Sequence, residues 1–332
     1  MHKPIKAKIT GFGHYRPQKS CQSTELDSLF NQSLGWTNEK FSITERPIAN
    51  RQETTSFMAA RACEEALKMA NWDSFDVLIG GCGVMEQPIP STSVFVQKEL
   101  GLEKSGIKCF DVNMTCLSFL SAFEIAAQYI ATGMIKRALI FASDIASCGL
   151  DYSQPHASAI FGDGAAAICV EAHDDENGGL ILASNFKTYS SGIDTAHLRA
   201  GGTKIRIDDG YEALKEGAKF YMDAFGIFRA AGKYLPRTLS ETLKMAQVTL
   251  DEIDVVIAHQ ASAPGLEFLR NVLKTRPERV VDIFDTFGNQ IAASLPNALY
   301  HAHKSGMLKT GSNVLMLGTS AGISIGAMVI RI

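Results

Sequence analysis

No stretch of this sequence stays apolar for long enough to cross a bilayer. Its start, MHKPIKAKIT, lacks the hydrophobic segment that directs secretion. Even the most apolar helical pattern carries Glu124 and Gln128. Excess positive charge is missing too: 32 Lys and Arg against 35 Asp and Glu give a net charge of -3, with no basic stripe. That leaves no electrostatic case for binding nucleic acid. Cysteine is sparse, and the seven present include no CxxC pair. An odd, scattered set argues against both a disulfide framework and a structural zinc site. These absences predict a cytoplasmic, reduced protein with no membrane, metal or nucleic-acid partner. What remains is 332 residues that are 46% hydrophobic, enough for two domains or one large duplicated one.

Short β-branched runs alternate with helical patterns, the mark of a layered α/β fold. AKITGFGHY (Ala7 to Tyr15), DVLIGGCGV (Asp76 to Val84), GIKCFDV (Gly106 to Val112), RALIFASD (Arg137 to Asp144) and AAAICVE (Ala165 to Glu171) read as strands. TTSFMAARACEEALKMA reads as a helix with small residues on its inner face, and LSFLSAFEIAAQYIATG as a helix too apolar for a surface. From Gly179 to Asp209 the pattern loosens into Gly/Ser/Thr-rich text, expected to be a long irregular connection that covers something.

The second half repeats the first. DSFDVLIGGCG (from Asp73) is echoed by DEIDVVIAHQA (from Asp251), and Gly133 in ATGMIKRALIFAS is matched by Gly306 in KSGMLKTGSNVLMLGT, an offset of 173 (306 − 133). Carried to Cys116, that offset reaches Asn289 (116 + 173), which predicts that the two occupy equivalent strand-to-helix junctions facing a pseudo-twofold axis. Neighbouring strand ends would add His259. We therefore divide the chain into an N-terminal half, residues 1–175, carrying the cysteine, and a C-terminal half, residues 176–332, carrying His and Asn.

Such a trio has a definite chemistry. A helix N-terminus and a nearby imidazole lower a thiol's pKa, so Cys116 is expected to be an activated nucleophile for a thioester. The backbone N–H at the helix start is aimed at the oxyanion of the acyl-enzyme step. His259 and Asn289 supply further N–H donors for the enolate left when a malonyl-type thioester loses carbon dioxide.

Six segments in order, GFGHYRP, ITERPIA (Ile43 to Ala49), the Cys116 segment, FGDGAAA, HQA (His259 to Ala261) and GNQIAASLPNAL (Gly288 to Leu299), resemble the β-ketoacyl synthase III family of the thiolase superfamily, over nearly the whole chain. The resemblance implies a duplicated five-layered αβαβα fold, usually a homodimer, with Cys116, His259 and Asn289 as catalytic residues. Its substrates would be acyl-coenzyme A or acyl-carrier protein and a malonyl thioester, with no resident cofactor. Trp36 matches a tryptophan that stacks on the adenine of coenzyme A, with Lys40 in place of an arginine. MDAFGIFR keeps a cation at Arg229 for a carrier protein or phosphate but places Phe225 where an asparagine often holds the pantetheine arm. Ser262 and Pro264 replace Asn and Arg after the HQA segment. In Ser320–Ala321–Gly322, Ala321 is the residue expected to complete the oxyanion hole with Cys116.

Each assignment has a plainer rival. Free cysteines are usually core residues, and Cys82, Cys109, Cys148 and Cys169 are read that way. Trp36 could equally anchor a loop, and Gly162–Asp163–Gly164 reads as a turn, not a phosphate loop. Condensation competes with transfer of the acyl group from Cys116 to an alcohol or amine, and with a non-catalytic partner subunit. Head-to-head condensation of two long acyl chains in relatives uses a glutamate just before a Pro–Ser/Thr pair; here Ile89 precedes Pro90. Thiolase proper needs a second cysteine near the C-terminus, and none follows Cys169.

Overall fold

Runs of period two and period 3.6 alternate along the chain, and the computed structural model, which describes residues 3–175, 178–274 and 277–332, turns them into one pattern used twice. The first set is β1 (Ile5–Tyr15), α1 (Thr55–Ala70), β2 (Val77–Gly80), α2 (Thr92–Glu99), β3 (Lys108–Asp111), α3 (Ser118–Ala131), β4 (Arg137–Asp144) and β5 (Gly164–Ala172). The second is β6 (Leu180–Gly192), α4 (Ala224–Ala246), β7 (Val255–Ala258), α5 (Ala263–Leu273), β8 (Val280–Val281), α6 (Ser294–Lys304), β9 (Asn313–Ser320) and β10 (Gly322–Arg331). Hydrogen bonding orders the first half β3-β2-β4-β5-β1 and the second β8-β7-β9-β10-β6. In each half the second strand is parallel to its two neighbours and the remaining pairs are antiparallel. A short pairing of Ile5 with Ile181 joins the halves.

Strand residues alternate between two cores, as the pleat requires. Val77 and Ile79 of β2, with Val255 and Ile257 of β7, face a central layer filled by Phe119, Leu120 and Phe123 of α3 and Leu295 and Leu299 of α6. Leu78 faces α1 and α2 on one outer side. Val256 and Leu315 face α4 and α5 on the other. This gives the five layers that the sequence resemblance implies. Of the two central helices α3 is strongly apolar, with Phe119, Leu120 and Phe123 buried between the sheets, whereas α6 ends in His301, His303 and Lys304. Small residues on α1 let it lie close to β1: a Cβ at Gly13 would collide with the carbonyl oxygen of Ala62. Among the described residues, no helix is long and apolar enough to cross a membrane.

The dividing point after residue 175 falls between β5 and β6, where residues 176–177 lie outside those described. Two expectations about elements need correction. Residues 180–192 are not irregular: they form β6, which pairs with β10 along most of its length. Its outer half mixes partly buried Phe186 and Tyr189 with exposed Lys187, Thr188, Ser190 and Ser191, so it lacks the regular apolar alternation that would have revealed it. The strand expected to reach Val84 stops at Gly80, because the backbone N–H groups of Gly83 and Val84 turn to a side chain described below.

Candidate active site

The carboxyl ends of the parallel strands in both halves meet at the centre, where open α/β sheets place their ligands. Cys116 lies in a 3-10 turn, Thr115–Leu117, that leads into α3. His259 follows β7 directly, its N–H donating to the carbonyl of Leu317 at 2.9 Å. The backbone of Asn289 is pinned on both sides, its N–H donating to the carbonyl of Ile160 (2.7 Å) and its carbonyl accepting from Gly162 (3.2 Å). All three line one cavity of about 1370 Å³, as do Ala321 and Gly322.

The repeat sets these residues in place, though not in the register the sequence suggests. Thr115 and Ile291 both have φ 51°. Ser118 Oγ accepts from the N–H of Met114 at 2.8 Å, and Ser294 Oγ accepts from Gln290 at 2.9 Å. Asn113 Oδ1 accepts from Thr115 at 3.0 Å, and Asn289 Oδ1 from Ile291 at 2.9 Å. The offset here is 176 (291 − 115), so Cys116 corresponds to Ala292 and Asn289 to Asn113. The cause is helix length: α3 has 14 residues and α6 has 11, so an offset anchored on glycines beyond the helices is wrong by three before them. Cys116 and Asn289 face one cavity without being equivalent.

Asn289 Oδ1 is occupied by Ile291, which fixes the amide so that its nitrogen points away, one N–H reaching the carbonyl of Ala261 at 3.3 Å. His259 is buried and its pKa is lowered by desolvation to about 4, so the imidazole is neutral at physiological pH. Its Nδ1 has no hydrogen-bond partner among the described residues. Gly318 makes room for it: a Cβ there would stand 2.7 Å from His259 Cβ.

The expected activation of Cys116 is reversed. Burial, followed by the carboxylate of Asp144, pushes its pKa up to about 12, outweighing the backbone N–H groups of Cys116 and Ala321 that point at the sulfur. The helix terminus contributes only a fraction of a charge, whereas burial in a low-dielectric site penalises the whole thiolate. The residue therefore rests as a thiol, partly exposed to the cavity. The two N–H groups beside it are where an oxyanion hole needs them.

Asp144 is the feature that motif reading missed. It is fully buried. One carboxylate oxygen accepts from Gly83 (2.8 Å) and Val84 (2.7 Å), the other from Ala292 (3.0 Å) and Ala293 (3.2 Å). Burial still raises its pKa to about 7. Since Ala292 corresponds to Cys116, an internal carboxylate occupies in the second half the kind of N–H cradle that stays open in the first. Ser320 holds the matching place at the end of β9 and donates instead to the carbonyl of Met114 at 2.8 Å. The carboxylate that ends the apolar run ALIFAS was the available signal.

Three quoted segments interlock around this centre. Buried Arg46 donates to the carbonyls of Ser158 and Phe161 (2.7 Å to the latter), and Gln290 donates to the carbonyl of Asp163 at 2.7 Å. The Asp163 carboxylate accepts from Ala49 (2.8 Å) and from the Ser147 backbone (2.9 Å). Gly162–Asp163–Gly164 is thus a tie between loops. Of the expected binding residues, Lys40 and Phe225 line the cavity and Trp36 and Arg229 do not. Trp36 packs edge-on against Phe41 at 5.4 Å and carries Lys40 Nζ 4.9 Å from its ring centroid. Arg229 is exposed, its guanidinium 5.8 Å from the ring of Phe225. Ser262 Oγ caps α5 by accepting from Gly265 at 3.2 Å. Cys148, read from sequence as packing, is exposed and lines the cavity.

Comparison with known proteins places the chain in a family. The family model for 3-oxoacyl-[acyl-carrier-protein] synthase III matches residues 110–190, and the model for its C-terminal part matches residues 243–332. A β-ketoacyl-[acyl-carrier-protein] synthase III of Caldanaerobacter subterraneus is 30% identical over 100% of this chain and 99% of its own length. The chain belongs to the β-ketoacyl-acyl-carrier-protein synthase III family. Another synthase III, from Xylella fastidiosa, is 30% identical over the whole of both chains. The solved synthase III of Aquifex aeolicus superposes with a TM-score of 0.88 at 29% identity, covering 98% of this chain and 100% of that one. A priming β-ketosynthase from a polyketide biosynthetic pathway superposes at 0.89 with 25% identity, covering 100% and 98%. Like the family it belongs to, the chain is an acyltransferase of the condensing type.

Proposed function

We propose that this family member joins an acyl thioester to a malonyl-type thioester by decarboxylative Claisen condensation, through an acyl-Cys116 intermediate. The observation that carries the assignment of roles is the opening of Cys116, His259 and Asn289 onto one cavity, with the N–H groups of Cys116 and Ala321 directed at the sulfur. In the first step Sγ of Cys116 bonds to the acyl carbon and the donor's carbon–sulfur bond breaks. The thiol proton ends on the departing sulfur. Negative charge on the acyl oxygen is held by the two backbone N–H groups.

The malonyl thioester then enters. Its thioester oxygen accepts hydrogen bonds from neutral His259 and from the free N–H of Asn289. Loss of carbon dioxide leaves an enolate that these donors stabilise. The enolate carbon attacks the acyl group, a carbon–carbon bond forms, and the bond to Cys116 breaks, returning the thiol after uptake of one proton. Two neutral donors suit an enolate better than they suit acyl transfer to an alcohol, which requires a base; an imidazole with a pKa near 4 is a weak one. The reaction uses thioesters as substrates and no resident cofactor. We further propose a cytoplasmic homodimer that takes its substrates from coenzyme A and a carrier protein, with Lys40 and Arg229 serving their phosphates.

Peptide mapping after incubation with an acyl thioester tests the first half of this reading. Added mass should fall on Cys116 alone and vanish in Cys116→Ala. Persistent acylation in that variant contradicts it.

A further inference from the structure

The cavity does not stop at the catalytic residues. It continues beneath the outer helices, with Ala258 and Leu317 as floor, Ala231 and Leu235 on α4, and Leu266 and Leu269 on α5. None of these side chains is polar. The lobe is continuous with the space at the imidazole, because His259 and Gly318 line the same cavity as Ala258 and Leu317. Helix-on-sheet layers normally fill such a space with side chains at crystal-like density. This chain instead puts Ala231 and Gly232 on α4 and Gly265 on α5. A Cβ at Gly232 would meet nothing nearer than Phe268 Cζ at 3.8 Å, an ordinary contact. The room is therefore not imposed by tight backbone packing.

The lobe has a length as well as a polarity. Phe228, Ala231 and Leu235 line it from α4. They recur at the spacing of one helix face, and the axial rise from the first to the last is roughly 10 Å. That is the reach of an extended hydrocarbon chain of about eight carbons. A space walled by alkyl and aromatic groups holds water poorly and hydrocarbon well.

We propose that the acyl group accepted by Cys116 is a medium-length hydrocarbon chain, of octanoyl size, lodged in the lobe between α4, α5 and the floor formed by Ala258 and Leu317. This rests on the acyl-Cys116 reading above and names its donor class. The step is the acylation already described, with the chain's apolar end directed toward Leu235.

Acylation rates by intact-mass spectrometry test it, with acetyl-, butyryl-, hexanoyl-, octanoyl- and decanoyl-coenzyme A as probes. Each buried methylene should raise the second-order rate by about fourfold, up to octanoyl. Ala231→Phe should lower the octanoyl-to-acetyl ratio by at least roughly tenfold, and Leu235→Ala should move the optimum toward decanoyl. Acetyl as the fastest donor to the native enzyme would overturn the inference while leaving the condensing function intact. Equal loss at every chain length in Ala231→Phe, or no change in the ratio, would overturn it as well. Failure of every thioester to acylate Cys116 would overturn both readings. The chain-length profile of the native protein stands even if a variant does not fold.

Discussion

The backbone N–H of Ile291 donates to Oδ1 of Asn289 at 2.9 Å, and this bond decides which way the Asn289 amide faces. With its oxygen occupied, Asn289 presents only N–H to the cavity. Asn289→Ala and His259→Ala should therefore keep much of the acylation of Cys116 while slowing decarboxylation by about 100- to 1000-fold each. Single-turnover acylation and carbon dioxide release can be followed separately. Loss of acylation with decarboxylation intact would reverse the roles.

Gly318 offers a test of the imidazole's placement without touching the imidazole. A Cβ there would stand 2.7 Å from His259 Cβ and 3.3 Å from Leu117 Cδ2. Gly318→Ala should push the ring off its position and lower kcat for condensation at least about tenfold, a loss expected from misplacement of an ångström or less. Unchanged kcat in a folded variant would show that the ring is not held by this contact.

Asp144 acts on Cys116 through charge, and the sign can be checked. Its carboxyl pKa is raised to about 7, so above that pH it is an anion that opposes ionisation of the thiol. Asp144→Asn removes the anion, and the pH profile of Cys116 alkylation by iodoacetamide should move to lower pH. An amide offers one acceptor oxygen, so it can serve either the Gly83–Val84 pair or the Ala292–Ala293 pair but not both, and Tm should fall too. A lower Tm with an unmoved alkylation profile would make Asp144 structural only.

Acid sensitivity should come partly from His14. Its pKa is lowered to about 3, first by burial and then by His301 and Arg16. Its ring lies 5.0 Å from that of Tyr300 and 5.8 Å from that of Phe287. The nearby Glu65 carboxylate accepts the His14 backbone N–H at 2.8 Å and the Tyr300 hydroxyl at 2.9 Å. An unfolded chain protonates this histidine near pH 6.5, so folding stability is lost as pH falls from there toward 3. His14→Phe keeps the aromatic packing and removes the proton site. The drop in Tm between pH 7.5 and pH 5 should be smaller in the variant; an equal drop would place the sensitivity elsewhere.

Much of the layered fold could be read from the chain, because β4 and the helix α1 have the periodicities their burial demands. The segments around Cys116, His259 and Asn289 could be picked out because they are short and distinctive, and all three residues line one cavity. Strand β6 was not legible: it is buried at one end and exposed at the other, so no alternation marks it. The register between Cys116 and Asn289 was not legible either, since a difference in helix length leaves no local trace. The thiol's high pKa depends on burial and on Asp144, 28 residues away in sequence (144 − 116), and charge effects of that kind need coordinates.

The central claim is that Cys116, His259 and Asn289 carry out a decarboxylating condensation. The most direct measurement is release of labelled carbon dioxide from a carboxyl-labelled malonyl thioester by enzyme first acylated with an octanoyl donor. Release should accompany formation of the β-ketoacyl product, be lost in Cys116→Ala, and fall about 100- to 1000-fold in Asn289→Ala. An acylated native enzyme that leaves the malonyl carboxylate intact, with coenzyme A and carrier-protein donors alike, and passes its acyl group to oxygen or nitrogen would contradict the claim.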